Sequence, residues 1–167
     1  MLPNLKMKTE ELKIIGSQEW CGFTEFKIPA ILARVDSGAK TSSLQATQIK
    51  LITKDDEDWV SFNINPLQRN TTIRKTITAK VTGKRSIKGS FGISEERFII
   101  KTRITLGKDT FEIELSLANR NTMEFRMLLG RDAIIGRYLI NPAEKKLQKK
   151  YSKKTIDKLY KIKNASE

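Results

Sequence analysis

The chain contains no histidine. That absence removes serine–histidine and cysteine–histidine catalysis, which both need an imidazole to carry the proton. It also removes every histidine-bearing zinc site, including the H-E-x-x-H helix. Cysteine is almost as scarce, with Cys21 standing alone. An internal disulfide and a structural cysteine cluster are therefore excluded, and the chain suits a reducing compartment. A zinc site would have to be built from carboxylates, a poor donor set for that metal. No G-x-x-x-x-G-K-[ST] loop is found, so nucleotide binding of that kind has no support. Apolar runs are short, and none approaches the ~20 residues a membrane helix needs. Met1 to Trp20 mixes charge with short apolar pieces and lacks a signal-peptide core. These absences predict a cytoplasmic chain without metal or cofactor. If it is an enzyme, carboxylates, hydroxyls, Lys, Arg or Tyr must do the chemistry.

What is abundant is positive charge. Lys and Arg number 32 against 19 Asp and Glu, a net charge of +13 over 167 residues. From Ala143 onward nine Lys face Glu144, Asp157 and Glu167, a net of +6, which leaves 13 − 6 = +7 for residues 1–142. The length suits one domain with a real core. The composition shift divides it into a domain over 1–142 and a basic tail over 143–167. A basic surface attracts anionic partners: RNA, a ribosome, or acidic peptides.

The apolar residues are spaced for strands. Leu12 to Ser17 and Phe26 to Val35 are short and rich in β-branched residues, with Pro29 at an edge or bulge. Thr41 to Lys54 alternates with a slip near Thr47, and Asp55 to Asp58 is an acidic turn. Val60, Phe62 and Ile64 share one face of the next strand. Thr71 to Val81 alternates as well, and Ser86 to Ile93, with its glycines, reads as a mobile loop or hairpin tip. Arg97 to Leu106 and Thr110 to Leu117 flank Gly107-Lys108-Asp109 as a hairpin. In the second of these, Glu112, Glu114 and Ser116 face away from the apolar side. Phe125 to Leu129 is a further strand. Only Arg131 to Gly136 and Ser152 to Lys163 read as helix. Many short strands with regular turns predict a sandwich or barrel. The tail is expected to be helical, loosely attached, or both.

Two stretches carry the chemistry. Ile31 to Val35 delivers Asp36 into Ser37-Gly38. Alone, that tripeptide is an ordinary surface turn, because Asp and Ser bond nearby backbone and Gly takes positive φ. The second stretch is Met127-Leu128-Leu129-Gly130-Arg131-Asp132. A lone carboxylate is a weak base and a poor acid at neutral pH. Two that share a site hold one proton between them, and such a pair can activate water and protonate a leaving amine. That chemistry needs neither histidine nor metal.

Val35-Asp36-Ser37-Gly38-Ala39 resembles the apolar-Asp-[Thr/Ser]-Gly-Ala motif of retropepsin-like aspartic proteases. Leu128 to Asp132 resembles their later apolar-apolar-Gly-Arg-[Asp/Asn] motif. More narrowly, Ala33 to Ala46, Ser86 to Thr102, Leu115 to Asn121 with Met123, Met127 to Ile134 and Asn141-Pro142 resemble the bacterial and archaeal family labelled ATP-dependent zinc proteases, often found beside ATP-grasp glutamate ligases. The resemblance runs over residues 12–142. It implies an all-β, closed retropepsin-like acid-protease barrel with one short helix after the Leu-Leu-Gly-Arg-Asp motif. It implies that Asp36 is catalytic, with Ser37 and Gly38 as its turn. Ala39, Lys40, Gly130, Arg131 and Asp132 would support the site, with Asp132 near Lys40. Lys88, Gly89, Ser90 and Gly92 would belong to a flap over Lys88 to Ile93. Beside that flap, the residues themselves leave two readings for Arg97 with Glu96: they help hold a substrate carboxylate, or they form a surface ion pair. The label's zinc and ATP find no motif here. One aspartate motif per chain implies a homodimer with a shared site, aspartic peptidase activity, and acidic or glutamylated peptides as substrates. A functional link to an ATP-grasp ligase follows from the same neighbourhood. The reading from another class is a non-catalytic module that meets ribosome or RNA through its basic tail.

Overall fold

The computed structural model describes residues 11–88, 91–119 and 124–163. Among them, eleven strands and two short helices follow one another. The strands are β1 (Lys13–Ile15), β2 (Gln18–Phe23), β3 (Ile28–Asp36), β4 (Ser42–Gln45), β5 (Thr47–Lys54), β6 (Glu57–Ile64), β7 (Lys75–Lys88), β8 (Ser94–Leu106), β9 (Asp109–Ala118), β10 (Met127–Gly130) and β11 (Tyr138–Ile140). The helices are α1 (Arg131–Ile134) and α2 (Lys153–Leu159), and a 3-10 turn over Thr24–Phe26 joins β2 to β3. Gly89, Ser90 and the Asn121–Met123 part of the resemblance lie outside the described residues.

Nine strands pair in the order β2-β3-β10-β4-β9-β8-β7-β6-β5. β2 also pairs β8, through Cys21 with Leu106 and Gly22 with Thr105. Six strands thus form a closed cycle of pairings, β2-β3-β10-β4-β9-β8, and β7, β6 and β5 extend one side as a hairpin stack. The fold is all-β, as the spacing of the apolar residues predicts.

Register explains where the core lies. Ala33, Met127, Leu44 and Leu117 stand opposite one another across β3, β10, β4 and β9. All four are buried and belong to one apolar cluster with Ile31, Ile100, Ile104, Leu115 and Leu129. Because side chains alternate along a strand, residues one step away point to the opposite face. That opposite face carries the site described below.

The acidic turn of the sequence is tighter than its four residues suggest. Asp55 and Asp56 both take left-handed backbone, with φ of 54° and 59°, the conformation a two-residue hairpin requires and short polar residues tolerate. The slip near Thr47 appears as a break at Ala46 and a bulge between Thr47 and Lys50. Two strands escape the sequence pattern. β2 is hidden because a buried Glu19 interrupts its apolar alternation, and β11 is only three residues long. β7 begins at Lys75, later than Thr71, because Asn70 folds its side chain onto the backbone of Thr72 and Ile73.

The described part of the tail is not loose. Glu144 accepts from Ser17 N at 2.8 Å, and Lys146 N donates to Gln18 O at 2.8 Å. Ser152 caps α2 by accepting from Thr155 N at 3.1 Å. Ile156 and Tyr160 are buried against Ala30 and Leu67, a burial that contributes about 2 kcal/mol each. The Tyr160 hydroxyl donates to the Ala30 carbonyl.

Candidate active site

β3 ends on Asp36, and the chain turns through Ser37 to Thr41 before β4. The turn is closed by Ala39 N, which donates to Asp36 O at 3.3 Å. β10 then enters between β3 and β4, parallel to the first and antiparallel to the second, with Gly130 opposite Asp36. This crossing brings two backbones unusually close. A Cβ on Gly130 would lie 2.6 Å from the Thr41 carbonyl carbon and 2.7 Å from Ser42 N. Only glycine passes there without moving the turn. Gly130 N donates to Ser42 Oγ at 2.9 Å, which locks the crossing.

The helix that follows grips the same turn. Arg131 N donates to Ala39 O at 2.7 Å and Asp132 N to Lys40 O at 3.0 Å. The Arg131 guanidinium donates to the Ser37 carbonyl at 2.8 Å. Lys40 and Asp132 approach to 3.5 Å, with both side chains more than half exposed, so the pair contributes a few tenths of a kcal/mol at most. Orientation of the turn therefore comes from backbone bonds and Arg131.

Asp36 is half-buried at the edge of a cavity of about 670 Å³. Its Oδ1 accepts from Gly38 N at 3.0 Å. Among the described residues Oδ2 has no hydrogen-bond partner, so one edge of the carboxylate is left for a ligand. The cavity floor is the outer face of the barrel. Arg34, Leu128, Ser43 and Ser116 line it in one registered row, one residue out of step with the core row. Arg85, Ile87, Lys88 and Arg97 of the β7–β8 arm form a wall. Five cations (Arg34, Lys40, Arg85, Lys88 and Arg97) line the cavity against Asp36 and Glu124. Low-dielectric walls concentrate that positive field, which favours anionic ligands.

The residues singled out in the sequence are thus partly assembled. Asp36, Gly38, Ala39, Lys40, Lys88 and Arg97 line the cavity, while Ser37, Gly130, Arg131 and Asp132 build the turn beneath it. Gly92 is at the arm's tip with φ of 78°, away from the cavity wall, between exposed Phe91 and Ile93. Gly89 and Ser90 are outside the described residues. Arg97 pairs with Glu95 rather than Glu96, and is buried rather than at the surface. Arg34, Ser43 and Ser116 escaped the sequence reading. Each had a signal in strand parity: Arg34 is two residues before Asp36, and Ser116 is on the polar side of β9.

The family model described as RimB-like, retropepsin-like aspartic endopeptidase RimB, matches residues 14–151. The chain belongs to this family. Residues 144–148 are hydrogen-bonded to residues at the start of the barrel. Among relatives, the probable alpha-L-glutamate ligase of Desulfotalea psychrophila is 51% identical over 150 residues, covering 89% of this chain and 32% of that protein. The probable alpha-L-glutamate ligase of Shewanella pealeana is 43% identical over 154 residues, covering 92% and 34%. The chain therefore spans about a third of the length of these relatives. The crystal structure of a Legionella pneumophila protein of unknown function superposes with a TM-score of 0.68 at 28% identity, covering 82% of this chain and 98% of that one.

The zinc named in the family label that the sequence resembles does not fit the donors present. Among the described residues no three His, Cys, Asp or Glu side chains converge on one point. Cys21, the one thiol, is buried, and its pKa is raised strongly by that burial and secondarily by the Glu19 carboxylate. It is an inert core thiol. No helix among the described residues is long and apolar enough to cross a membrane.

Proposed function

We propose that the chain is an aspartic-type peptidase whose site is completed by Asp36 of a second copy. One chain supplies one Asp36, and the chemistry needs two carboxylates that share a proton. In the resting pair one carboxyl is protonated and the other ionised. The ionised one takes a proton from water as the water oxygen bonds to the substrate carbonyl carbon. The protonated one hydrogen-bonds the carbonyl oxygen. When the C–N bond breaks, the nitrogen leaves with a proton returned from the pair. Arg131, Gly130 and the Ser37–Gly38 turn fix the carboxylate for this task. A two-fold axis beside Asp36 would also relate the two β7–β8 arms across a bound peptide.

The observation that carries the reading is the fixed, half-satisfied Asp36 carboxylate facing a cation-lined cavity. The same cations favour acidic peptides, and the ligase names of the relatives point to glutamate-bearing chains, joined by peptide or γ-glutamyl bonds. A cytoplasmic setting and a working link to an ATP-grasp ligase go with that substrate. The test is Asp36→Asn assayed on oligo-glutamate peptides. We expect at least a 10³-fold loss of kcat/KM with the fold intact, a bell-shaped pH–rate profile, and no response to chelators. Retained cleavage by the folded variant would sink the proposal. Salt-sensitive RNA or ribosome binding that Asp36→Asn leaves intact and tail truncation removes, without any cleavage, would replace it with the binding-module reading.

A further inference from the structure

We propose that Arg97, with Arg85 opposite it and the Ser116 hydroxyl below, forms a subsite for one side-chain carboxylate of the substrate. The inference takes from the peptidase reading only that the ligand is a peptide.

Three observations converge on one wall of the cavity. Arg97 is 6% exposed, and a guanidinium taken that far from water needs anionic partners. The partner it has is weak. Its Nε and one Nη both reach a single oxygen of Glu95 at 3.3 Å, and the Glu95 side chain is 44% exposed. Among the described residues the Arg97 Nη1 donates to nothing.

Arg85 stands directly opposite Arg97 in the β7–β8 ladder. Like charges placed so destabilise a sheet. Arg85 is tied elsewhere, to Glu114 at 2.5 Å and to Thr41 Oγ1 at 3.4 Å. Those bonds hold Arg85 at the cavity wall next to the Asp36 turn, and Arg97, held only by the long contact to exposed Glu95, is left to take a second anion.

Ser116 is fully buried and lines the cavity, yet among the described residues its hydroxyl has no hydrogen-bond partner. Buried hydroxyls in folded proteins are nearly always satisfied, so an orphan one marks a place where a ligand atom belongs. Ser116 pairs with Ile99, and Arg97 lies two residues along the same strand. The two side chains therefore rise from the same face of the sheet. Ser43, next to Ser116 in the registered row, lines the cavity too.

A carboxylate at this point accepts from Arg97 and from Ser116 and neutralises the opposed arginines. Its neutral amide isostere offers a single acceptor oxygen and brings no charge to add to the weak Glu95 contact of Arg97. Discrimination of glutamate from glutamine should therefore be large, because it comes from unpaired buried groups rather than from shape.

Binding read without turnover separates this subsite from the peptidase reading. Fluorescent acidic peptides, each with one Glu replaced by Gln, are titrated by anisotropy into Asp36→Asn protein. We expect one position at which that replacement weakens binding about 100-fold. Adding Arg97→Gln should reduce the ratio to about threefold or less. Adding Ser116→Ala should reduce it about fivefold while leaving thermal stability unchanged or higher, since an orphan hydroxyl is removed. Ser116→Ala and Arg97→Lys decide the matter if Arg97→Gln does not fold. The proposal is overturned if the parent binds Glu and Gln peptides equally at every position, or if the folded variants keep the parent's ratio. Discrimination without cleavage by the unmutated protein would overturn the peptidase reading and leave the subsite standing. Cleavage without discrimination would do the reverse.

Discussion

Glu19 on β2 and Asp36 at the end of β3 are carboxylates on adjacent antiparallel strands, and the fold treats them in opposite ways. Glu19 has no exposed surface. Its two oxygens accept from Gly16 N at 2.8 Å, Leu147 N at 3.0 Å and Gln148 N at 2.9 Å. Every partner is a backbone amide, and the three come from both ends of the chain. Asp36 has one such amide and one open oxygen. A buried carboxylate with both oxygens engaged by backbone amides is a structural clamp. A carboxylate of the same charge with half its edge unfilled, facing a cavity, is available for chemistry. Burial alone does not separate the two roles; the count of donors does.

The comparison breaks most readily at Glu19. Glu19→Ala removes a buried carboxylate, strands the buried Gly16 amide and the partly buried amides of Leu147 and Gln148, and unpins the tail, so we expect a loss of about 3–5 kcal/mol in urea unfolding. Asp36→Asn should stay within about 1 kcal/mol of the parent in the same measurement while losing activity. A destabilised Asp36→Asn beside an unaffected Glu19→Ala would reverse the assignment of clamp and reagent.

Gly130→Ala tests the scaffold that separates them. Its new methyl would meet the backbone at Thr41 and Ser42, and backbone cannot swing aside as a side chain can. We expect a cost of about 2–3 kcal/mol in thermal unfolding. Binding of acidic peptides should weaken too, because relief requires the Asp36 turn to lift. Parent-like stability would mean that β10 does not pass as close to that turn as described.

The same contrast explains what the sequence could and could not tell. The meeting of Asp36 with Gly130 at one turn was legible because two motifs far apart, each weak alone, point to one another. The all-β fold was legible because its strands alternate cleanly, as with Phe111, Ile113, Leu115 and Leu117 on β9. Glu19 was illegible because a buried charge looks like a surface charge until its amide donors arrive, and two of those come from 128 and 129 residues away. β2 was lost with it. Ser116 was visible as a polar-face residue, but parity shows only which face it takes. That this face is a cavity floor follows from the arm formed by β7 and β8, and no local pattern of β9 encodes the arm's position. The tail's packing was hidden by its lysines, since Ile156 and Tyr160 are the few buried points in an otherwise solvated segment.

Asp109 is the intermediate case and gives the smallest effect. It is the first residue of β9 and accepts from Lys13 Nζ at 2.7 Å and from the Tyr138 hydroxyl at 2.8 Å, which ties the small β1–β11 sheet to the barrel. The Lys13 hydrogen bond lowers its carboxyl pKa; partial burial opposes that, and the Tyr138 hydroxyl adds to the lowering. A carboxyl whose folded value lies below its unfolded one stabilises the fold above the unfolded value. That contribution fades as pH falls through the lowered folded value. The wild-type protein should therefore lose stability on going from pH 7 toward pH 3, and Asp109→Asn should lose less over the same interval. At neutral pH the substitution should cost only about 0.5–1 kcal/mol, because Lys13 and Asp109 are each at least one-third exposed and water screens them. Urea unfolding of both proteins at the two pH values reads the difference directly. An unchanged pH slope in Asp109→Asn would mean that two donors at a half-open position do not hold a carboxylate as clamp, and that the division between Glu19 and Asp36 is set by burial after all.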